Sequence, residues 1–281
     1  MAKKFAEFRQ MKPADAVMFS LTWIFAGVTL TALVLIVVHI LMAGVPHLRP
    51  SLFAITHTSE NVSMFPSMVS TILMVLVTLA IAVPLGMFTG VYLVEYVSRG
   101  NKLVGIIRSA AEILAGIPSI VYGLFGLLFF VSFMGLGLSL LAGSLTLSIM
   151  ILPMVIRTTE EALKSVPDSY REGAFALGAG KLRTVFRIVV PSAVPGIFAG
   201  VILAIGRIVG ESAALIFTAG TIAQIPDGLF NSVRTLTVHV WVLSGEGFHL
   251  NEAYATASVL LLIVFLLNTL SAVVAKRFAK G

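Results

Sequence analysis

Six apolar runs, each close to the length needed to cross a lipid bilayer, constrain the fold of this chain more than any other feature. A helix needs about 20 residues to cross roughly 30 Å of hydrocarbon. The runs lie near 17–43, 67–94, 111–134, 138–156, 193–219 and 253–275. Hydrophobic residues make up 58% of the chain and charged residues only 11%, which excludes a soluble domain of this length. The sequence therefore predicts an all-α integral membrane protein with six transmembrane helices.

Lysine and arginine are concentrated in the segments that six crossings would leave on one side of the membrane. Sixteen of the 19 lie before the first run, after the second, after the fourth or after the sixth. Cytoplasmic loops carry this excess, so we expect both termini in the cytoplasm. The expected location is the cell (inner) membrane of a bacterium or archaeon. The first run is longer than the 7–15 residues of a secretory signal core, and we interpret it as an uncleaved anchor. The expected organisation is a cytoplasmic segment, 1–16, and one transmembrane domain, 17–281.

A charged loop, 157–192, separates the fourth and fifth runs. Two capping-box spacings predict helix starts in it: Thr158 with Glu161, and Ser169 with Glu172. Pro167 separates the two helices, and Gly178 and Gly180 are placed to end the second. We expect either a small projecting helix that docks in a groove of a partner protein or amphipathic helices that lie on the bilayer.

A third helix is predicted in the loop from Lys181 to Val190, before Pro191. Because proline removes a backbone donor and kinks helices, we expect the only hinge between loop and fifth run near Pro191 and Pro195.

Six residues of the loop have a characteristic spacing: Glu172, Gly173, Ala174, Gly178, Ile188 and Pro191. This pattern resembles the EAA signature of ABC importer permeases, with Gly173 where the middle alanine is usual and Val190 where leucine is usual. In that family the loop forms a coupling helix that docks in a cleft of a separate ATPase subunit. The resemblance implies a MetI-like permease core and a docking element from Glu172 to Gly178.

Longer segments narrow the resemblance, which covers roughly 95–275. The segments are 115–127, 157–184, 196–220 and 251–268. Three of them, 157–184, 196–220 and 251–268, are similar to the A-type inner-membrane permease of the phosphate-specific ABC importer, and 115–127 is similar to a segment that both permeases of that importer have. The segment Ser212–Leu215 favours the A-type over the sister permease, in which a methionine is more usual. The resemblance implies four kinds of partner: a sister permease in a heterodimer, two copies of a cytoplasmic ATPase, an extracytoplasmic phosphate-binding protein and membrane lipid, with no nucleic acid.

Two charged residues of the fifth run are candidates for the substrate pathway. Arg207 and Glu211 lie four residues apart, on one face of a helix, and charge inside a membrane helix is costly enough to mark a functional site. A guanidinium matches phosphate oxygens bidentately, and we expect Glu211 to neutralise Arg207 between transport steps. The alternative is a structural ion pair that only tethers helices. The resemblance favours a role of this pair in phosphate passage.

Two further charged residues are weaker pathway candidates. The resemblance marks Arg157 as a second pathway cation, although an arginine at a helix end also snorkels to the membrane surface. Glu112 opens the third run, where a carboxylate commonly stabilises the positive end of a helix. Small residues of the fifth run, Gly196 with Gly200 and Gly206 with Gly210, predict close helix packing.

No nucleotide, metal or redox site is expected. The segment from Gly173 to Lys181 lacks the spacing of a P-loop, and Leu182 follows the lysine. Cysteine is absent, and the histidines show no metal-ligand spacing: His39, His47, His57, His239 and His249. The chain is thus predicted to be a transport subunit without a cofactor and not an enzyme. The alternatives are an ABC permease for another oxyanion or small solute and, from a different class, a channel or ion-coupled secondary carrier.

Overall fold

The computed structural model describes residues 13–97 and 102–278, and every regular element within these ranges is helical. The α-helices are α1 (Pro13–Gly44), α2 (Phe65–Val91), α3 (Lys102–Ala115), α4 (Ser119–Gly126), α5 (Leu140–Lys164), α6 (Asp168–Ala176), α7 (Lys181–Thr184), α8 (Val190–Val209), α9 (Ala213–Thr218), α10 (Leu236–Glu246) and α11 (Leu250–Phe278). Short 3₁₀ turns lie at Val45–His47 and Pro50–Phe53, and π-helical turns lie at Tyr92–Tyr96, Leu127–Phe133 and Val185–Val189. Five described stretches are long and apolar enough to cross a membrane, or six if one bent pair counts as a span. The predicted all-α membrane fold is confirmed.

The third predicted run contains a sharp bend instead of one straight helix. The stretch Val104–Ala115 is followed by Ser119–Phe133, whose axis is turned by 102°. Gly116 and Pro118 lie in the break, where proline supplies no backbone donor. The hydroxyl of Tyr122 donates to the carbonyl oxygen of Leu114 at 2.7 Å and so satisfies an acceptor beside the break. Glu112 consequently lies in the last turn of α3 and does not open a helix.

The fourth predicted run is too short by two helical turns. Helix α5 continues to Lys164, so Thr158 and Glu161 lie inside it and the predicted capping box there is wrong. The hydroxyl of Thr158 donates instead to the carbonyl oxygen of Met154, one turn earlier, at 2.9 Å. This hydrogen bond to the preceding turn satisfies the hydroxyl, so a threonine can lie in the middle of the helix.

The fifth predicted run begins earlier and ends earlier than expected. Lys181–Val209 is one continuous helix, so the predicted separate helix before Pro191 is wrong. The helix continues through Pro191 and Pro195, and this described segment has no break at the predicted hinge. The π-helical turn Val185–Val189 directly precedes Pro191. Helix α8 ends at Val209, and α9 is a separate helix.

Helices α2, α5 and α8 form the centre of the bundle, and glycines allow them to approach. Gly86 of α2 faces Val155 of α5, and Gly90 faces Thr159. Gly196 of α8 faces Ala162 of α5, and Gly200 faces Thr158. The packing predicted for Gly196 and Gly200 is confirmed. For Gly206 and Gly210 it is wrong within the described residues. A Cβ at Gly206 would meet no atom within 4 Å, and one at Gly210 would meet only backbone oxygens of α8 itself.

Substitution of Gly86 by alanine is expected to destabilise the protein by about 1–3 kcal/mol, the usual cost of overpacking a core. The added Cβ would lie 2.6 Å from Cγ1 of Val155, closer than carbon atoms pack. The matched control is Gly27→Ala on α1, where a Cβ would meet nothing within 4 Å. Thermal unfolding of the purified protein measures both variants. Equal midpoints for the two variants would contradict the close approach of α2 and α5.

Helix α1 lies apart from this centre and contacts mainly α11. The hydroxyl of Ser258 donates to the carbonyl oxygen of Ile40 at 3.1 Å, and the ring of His39 meets the ring of Tyr254 edge-on at 5.8 Å between centroids. None of the membrane-length window of α1 is buried by the described residues. Its apolar surface therefore suits contact with lipid or another membrane subunit.

Candidate coupling loop and charged cleft

The helix of the loop, α6, begins after a proline and ends just before a glycine in the left-handed conformation. Its N-cap is Pro167, so it starts at Asp168 and the predicted capping box of Ser169 with Glu172 is wrong. Gly178 has a φ of +80°, a left-handed conformation that glycine adopts without strain. The amides of Gly178 and Ala179 donate back to the carbonyls of Phe175 and Ala174 at 2.9 and 3.0 Å, the pattern of a Schellman C-cap.

The predicted role of Gly178 in ending the helix is therefore confirmed. Gly180 has a different role, because it is the N-cap of α7, with φ of −70° and ψ of 158°.

The signature residues divide between an exposed surface and a face that packs on the bundle. Glu172 and Gly173 are exposed on α6, whereas Ala174 is only 5% exposed. Ile188 and Pro191 lie farther along, in the continuous helix that leads to α8. The exposed side of the loop also carries large apolar side chains: Phe175, Leu177 and Leu182, with Leu177 91% exposed. A small helix that presents apolar side chains beside charged ones is suited to docking in a protein groove.

Arg171 attaches α6 to two transmembrane helices. Its Nη2 atom lies 2.7 Å from Oε1 of Glu95, in the π-helical turn that ends α2. Its guanidinium also donates to the carbonyl oxygens of Val166, at 2.9 Å, and Leu163, at 3.0 Å, near the end of α5. The side chains of Arg171 and Glu95 are 16% and 8% exposed. The hydrogen bond to Glu95 raises the pKa of Arg171 above its ordinary value.

This anchor was not identified from the sequence. Arg171 belongs to the charged loop, but Glu95 lies 76 residues earlier, and no local spacing connects the two. The only signal available was a glutamate at the end of an otherwise apolar run.

A cleft of about 430 Å³ between α3, α5 and α8 brings together three of the four predicted pathway residues. Arg207 enters it from α8, Arg157 from α5 and Glu112 from α3. All three are exposed within the described chain. The fourth, Glu211, does not line the cleft.

The predicted pairing of Arg207 with Glu211 is not formed in this structure. Glu211 lies beyond the end of α8, so the helical spacing of four residues does not bring the two side chains together. Its Oε1 atom accepts a hydrogen bond from the amide of Ala214 at 3.1 Å, and its carbonyl oxygen accepts one from the hydroxyl of Thr237 at 2.7 Å. Glu211 thus orders the turn between α8 and α9 and connects it to α10. Among the described residues no carboxylate forms an ion pair with Arg207.

The cleft also contains charged residues that the sequence analysis did not propose for the pathway. Glu160 of α5 is bonded by Arg108 of α3 at 2.9 Å and by Lys164 of α5 at 2.8 Å. Arg157 pairs with Glu161 at 3.0 Å, and both of these side chains are more than half exposed. Exposed pairs of this kind contribute about 0.3–0.5 kcal/mol. The spacing of four residues on α5 was a visible signal for two of these pairs, but the partnership with Arg108 was not.

The histidines lie apart from this cleft. In the described parts of the chain, no group of three or more side chains has the arrangement of a metal site. His239 of α10 is fully buried, and its Nδ1 atom lies 3.4 Å from Nη1 of Arg234. Burial lowers the pKa of His239 to about 3, so the side chain is neutral near pH 7.

An all-helical bundle with several helices of membrane length and a charged cleft between them is the architecture of a polytopic membrane protein. The family model described as "Binding-protein-dependent transport system inner membrane component" matches residues 82–281. The chain therefore belongs to this family.

Curated relatives include several proteins named as phosphate permeases. The chain is 41% identical over 184 residues to the "Probable ABC transporter permease protein YqgI" of Bacillus subtilis, with 61% of this chain and 62% of the relative covered. It is 40% identical over 210 residues to the "Phosphate transport system permease protein PstA" of Yersinia pestis, with 74% and 70% covered. To the protein of the same name from Mycobacterium leprae it is 44% identical over 150 residues, with 53% and 49% covered. The chain spans about half to two thirds of the length of most of these relatives. The predicted resemblance to phosphate permeases is confirmed.

Solved structures of similar fold come from other ABC transporters. The inward-facing methionine transporter MetNI matches with a TM-score of 0.61 and 18% identity, covering 76% of this chain and 94% of that chain. A bacterial alginate ABC transporter matches with a TM-score of 0.71 and 13% identity, covering 95% and 96%. At these identities the likeness concerns the fold, and the predicted MetI-like core is confirmed.

Proposed function

We propose that this chain is the permease subunit of an ATP-driven ABC importer and forms half of the translocation pathway for inorganic phosphate. The observation that most supports this is the cleft in which Arg207, Arg157 and Glu112 meet from three helices. Relatives of up to 44% identity carry the name of a phosphate permease. Arginine suits this substrate because its fork of donors matches phosphate oxygens and keeps its charge at every physiological pH.

The loop side of the bundle is assigned to the cytoplasm. The basic residues of the loop and of the segments before α1 and after α11 fall on one side if each span crosses once. An excess of lysine and arginine marks the cytoplasmic side of membrane proteins. In this orientation both termini are cytoplasmic, and the loop 168–191 faces a cytoplasmic partner.

That partner is a separate ATPase, and α6 is the docking element. Glu172 and Gly173 lie on its exposed surface beside Phe175 and Leu177. The complete transporter contains a sister permease, two ATPase copies and an extracytoplasmic phosphate-binding protein. ATP is hydrolysed by the partner, and this chain supplies the pathway.

Two connections can transmit a movement of α6 to the cleft: the side-chain contacts of Arg171 and the continuous backbone of the helix that follows the loop. Arg171 connects α6 to Glu95, in the π-helical turn after α2, and to the end of α5, the helix that carries Arg157. The continuous helix Lys181–Val209 connects the loop directly to Arg207. In this proposal the continuous helix replaces the predicted proline hinge as the route of coupling. In this proposal Glu211 acts by ordering the turn after α8 and does not neutralise Arg207 in the conformation described.

Substrate identity is tested by uptake of labelled phosphate into proteoliposomes that contain the complete transporter and ATP. We expect a tenfold excess of sulfate or molybdate to leave phosphate uptake nearly unchanged. Competition by either anion equal to that by unlabelled phosphate would refute phosphate as the specific substrate and favour another oxyanion.

Substitution of Gly178 by valine is expected to weaken association with the ATPase without preventing membrane insertion. At a φ of +80° a side chain with a branched Cβ is strained by about 1–2 kcal/mol or more, which disturbs the end of α6. Gly178→Asn is the matched control, because asparagine tolerates the left-handed conformation. Co-purification of the ATPase with a tagged permease measures the effect. Equal recovery with the valine and asparagine variants would count against docking through this helix end.

A further inference from the structure

One carboxylate in the charged cleft, that of Glu160, already forms ion pairs with two of the cations. The Oε2 atom of Glu160 lies 2.9 Å from Nη2 of Arg108 and 2.8 Å from Nζ of Lys164. The Nε atom of Arg108 donates to the same oxygen at 3.2 Å. Carboxylate and phosphate oxygens accept charge-assisted hydrogen bonds from these donors in the same manner. Glu160 therefore holds donors that an entering oxyanion would use.

The two cations are about half exposed, whereas their carboxylate partner is almost fully buried at the edge of the cleft. The side chains of Arg108 and Lys164 are 44% and 52% exposed, and both line the cleft. The side chain of Glu160 is only 7% exposed. An anion in the cleft thus meets the donors before it meets the competing negative charge.

The net formal charge of the cleft is balanced by one monovalent anion. Its lining contains four cations, Arg108, Arg157, Lys164 and Arg207, and three carboxylates, Glu112, Glu160 and Glu161, a net formal charge of +1. A monovalent oxyanion neutralises this excess. A divalent one exceeds it and gains most where a carboxylate gives up a shared donor to the anion.

We propose that Arg108 and Lys164 form a release site for the transported oxyanion, in which the anion and Glu160 compete for the same donors. The inference rests on the proposed function and extends it to residues outside the expected pathway set. Lys164 is the last residue of α5 and lies four positions before α6, which places the site at the cytoplasmic end of the cleft. Competition by Glu160 keeps the affinity low, so the anion leaves towards the cytoplasm instead of remaining bound.

The test is phosphate binding and uptake by the assembled transporter carrying Glu160→Gln. Removal of the competing charge is expected to raise the affinity for inorganic phosphate about tenfold, measured by equilibrium binding to the complex in nanodiscs without the binding protein. In proteoliposomes the same variant is expected to lower the maximal uptake rate, because release becomes slow. A role limited to holding α3 on α5 would not raise phosphate affinity.

Asp168→Asn provides the control, because it removes a carboxylate near the same end of α5 but outside the cleft. Its side chain is 79% exposed and bonds Arg171, so we expect less than about a twofold change in phosphate affinity. Arg108→Gln provides an independent test if the glutamine variant at 160 does not assemble. This substitution leaves Glu160 paired with Lys164 and is expected to weaken phosphate binding about fivefold or more.

Two outcomes separate this inference from the proposed function. The release site alone would be overturned if Glu160→Gln left phosphate affinity unchanged while the unmodified transporter showed normal uptake. Where Glu160→Gln does not assemble, unchanged affinity in Arg108→Gln would have the same meaning. Absence of phosphate uptake by the unmodified, fully assembled transporter would overturn the proposed function itself.

Discussion

Replacement of Arg207 by glutamine is expected to reduce phosphate uptake about 100-fold while the transporter remains assembled. The substitution removes a charged, bidentate donor from the cleft, a loss of ~2.7 kcal/mol in the binding of a pathway anion. No described carboxylate pairs with Arg207, so among the described residues its removal leaves no partner unpaired. Initial rates of labelled phosphate uptake in proteoliposomes measure the effect.

Two further variants control this result. Arg207→Lys retains the charge but loses the planar fork, and we expect an intermediate rate. Arg187→Gln removes an exposed arginine from the same continuous helix outside the cleft and should leave the rate nearly unchanged. Normal uptake by Arg207→Gln would contradict the pathway role, and loss of assembly would show that Arg207 is structural.

Replacement of Arg171 by glutamine is expected to uncouple ATP hydrolysis from transport. It leaves the carboxylate of Glu95 almost fully buried without its cation, a change that costs about 3–5 kcal/mol in comparable buried pairs. We expect the ATPase to remain bound through the exposed surface of α6, while phosphate moved per ATP falls several-fold. The ratio of the two rates in proteoliposomes is the measurement.

The double variant Arg171→Gln with Glu95→Gln should recover stability but not coupling, because the unpaired charge is gone while the connection stays broken. Asp168→Asn is the matched control: its carboxylate also bonds Arg171, at 3.1 Å, but is 79% exposed. We expect it to change stability by less than about 0.5 kcal/mol. Unaltered coupling in Arg171→Gln would show that force reaches the cleft by another route.

Local signals predicted the membrane helices well because apolar length is itself a local property. The end of α6 at Gly178 was predictable for the same reason, since a glycine after a short amphipathic helix marks a C-cap. The bend between α3 and α4 also had a local signal, Gly116 and Pro118, that was not used. The predicted boundary failed where a polar residue suggested a helix start, as at Thr158, because its hydroxyl bonds within the helix.

The candidate site was only partly predictable because its contacts join distant segments. Arg207 was found from its charge within an apolar run, but its supposed partner Glu211 lies beyond a helix end that Gly210 marks. Arg108 meets Glu160 across 52 residues, and Arg171 meets Glu95 across 76. The first pair depends on the packing of α3 on α5 and the second on the position of α6 beside the end of α2, and no spacing within one segment encodes that packing.

The central claim, that this chain forms part of an ATP-driven phosphate pathway, is tested most directly by accumulation of phosphate against a gradient. Proteoliposomes with the permease pair, the ATPase and the binding protein are loaded with ATP on the ATPase side or with a non-hydrolysable analogue. We predict accumulation only with ATP and only when the ATPase is present. Equal phosphate movement with the analogue or without the ATPase would contradict the account and indicate a channel or an ion-coupled carrier.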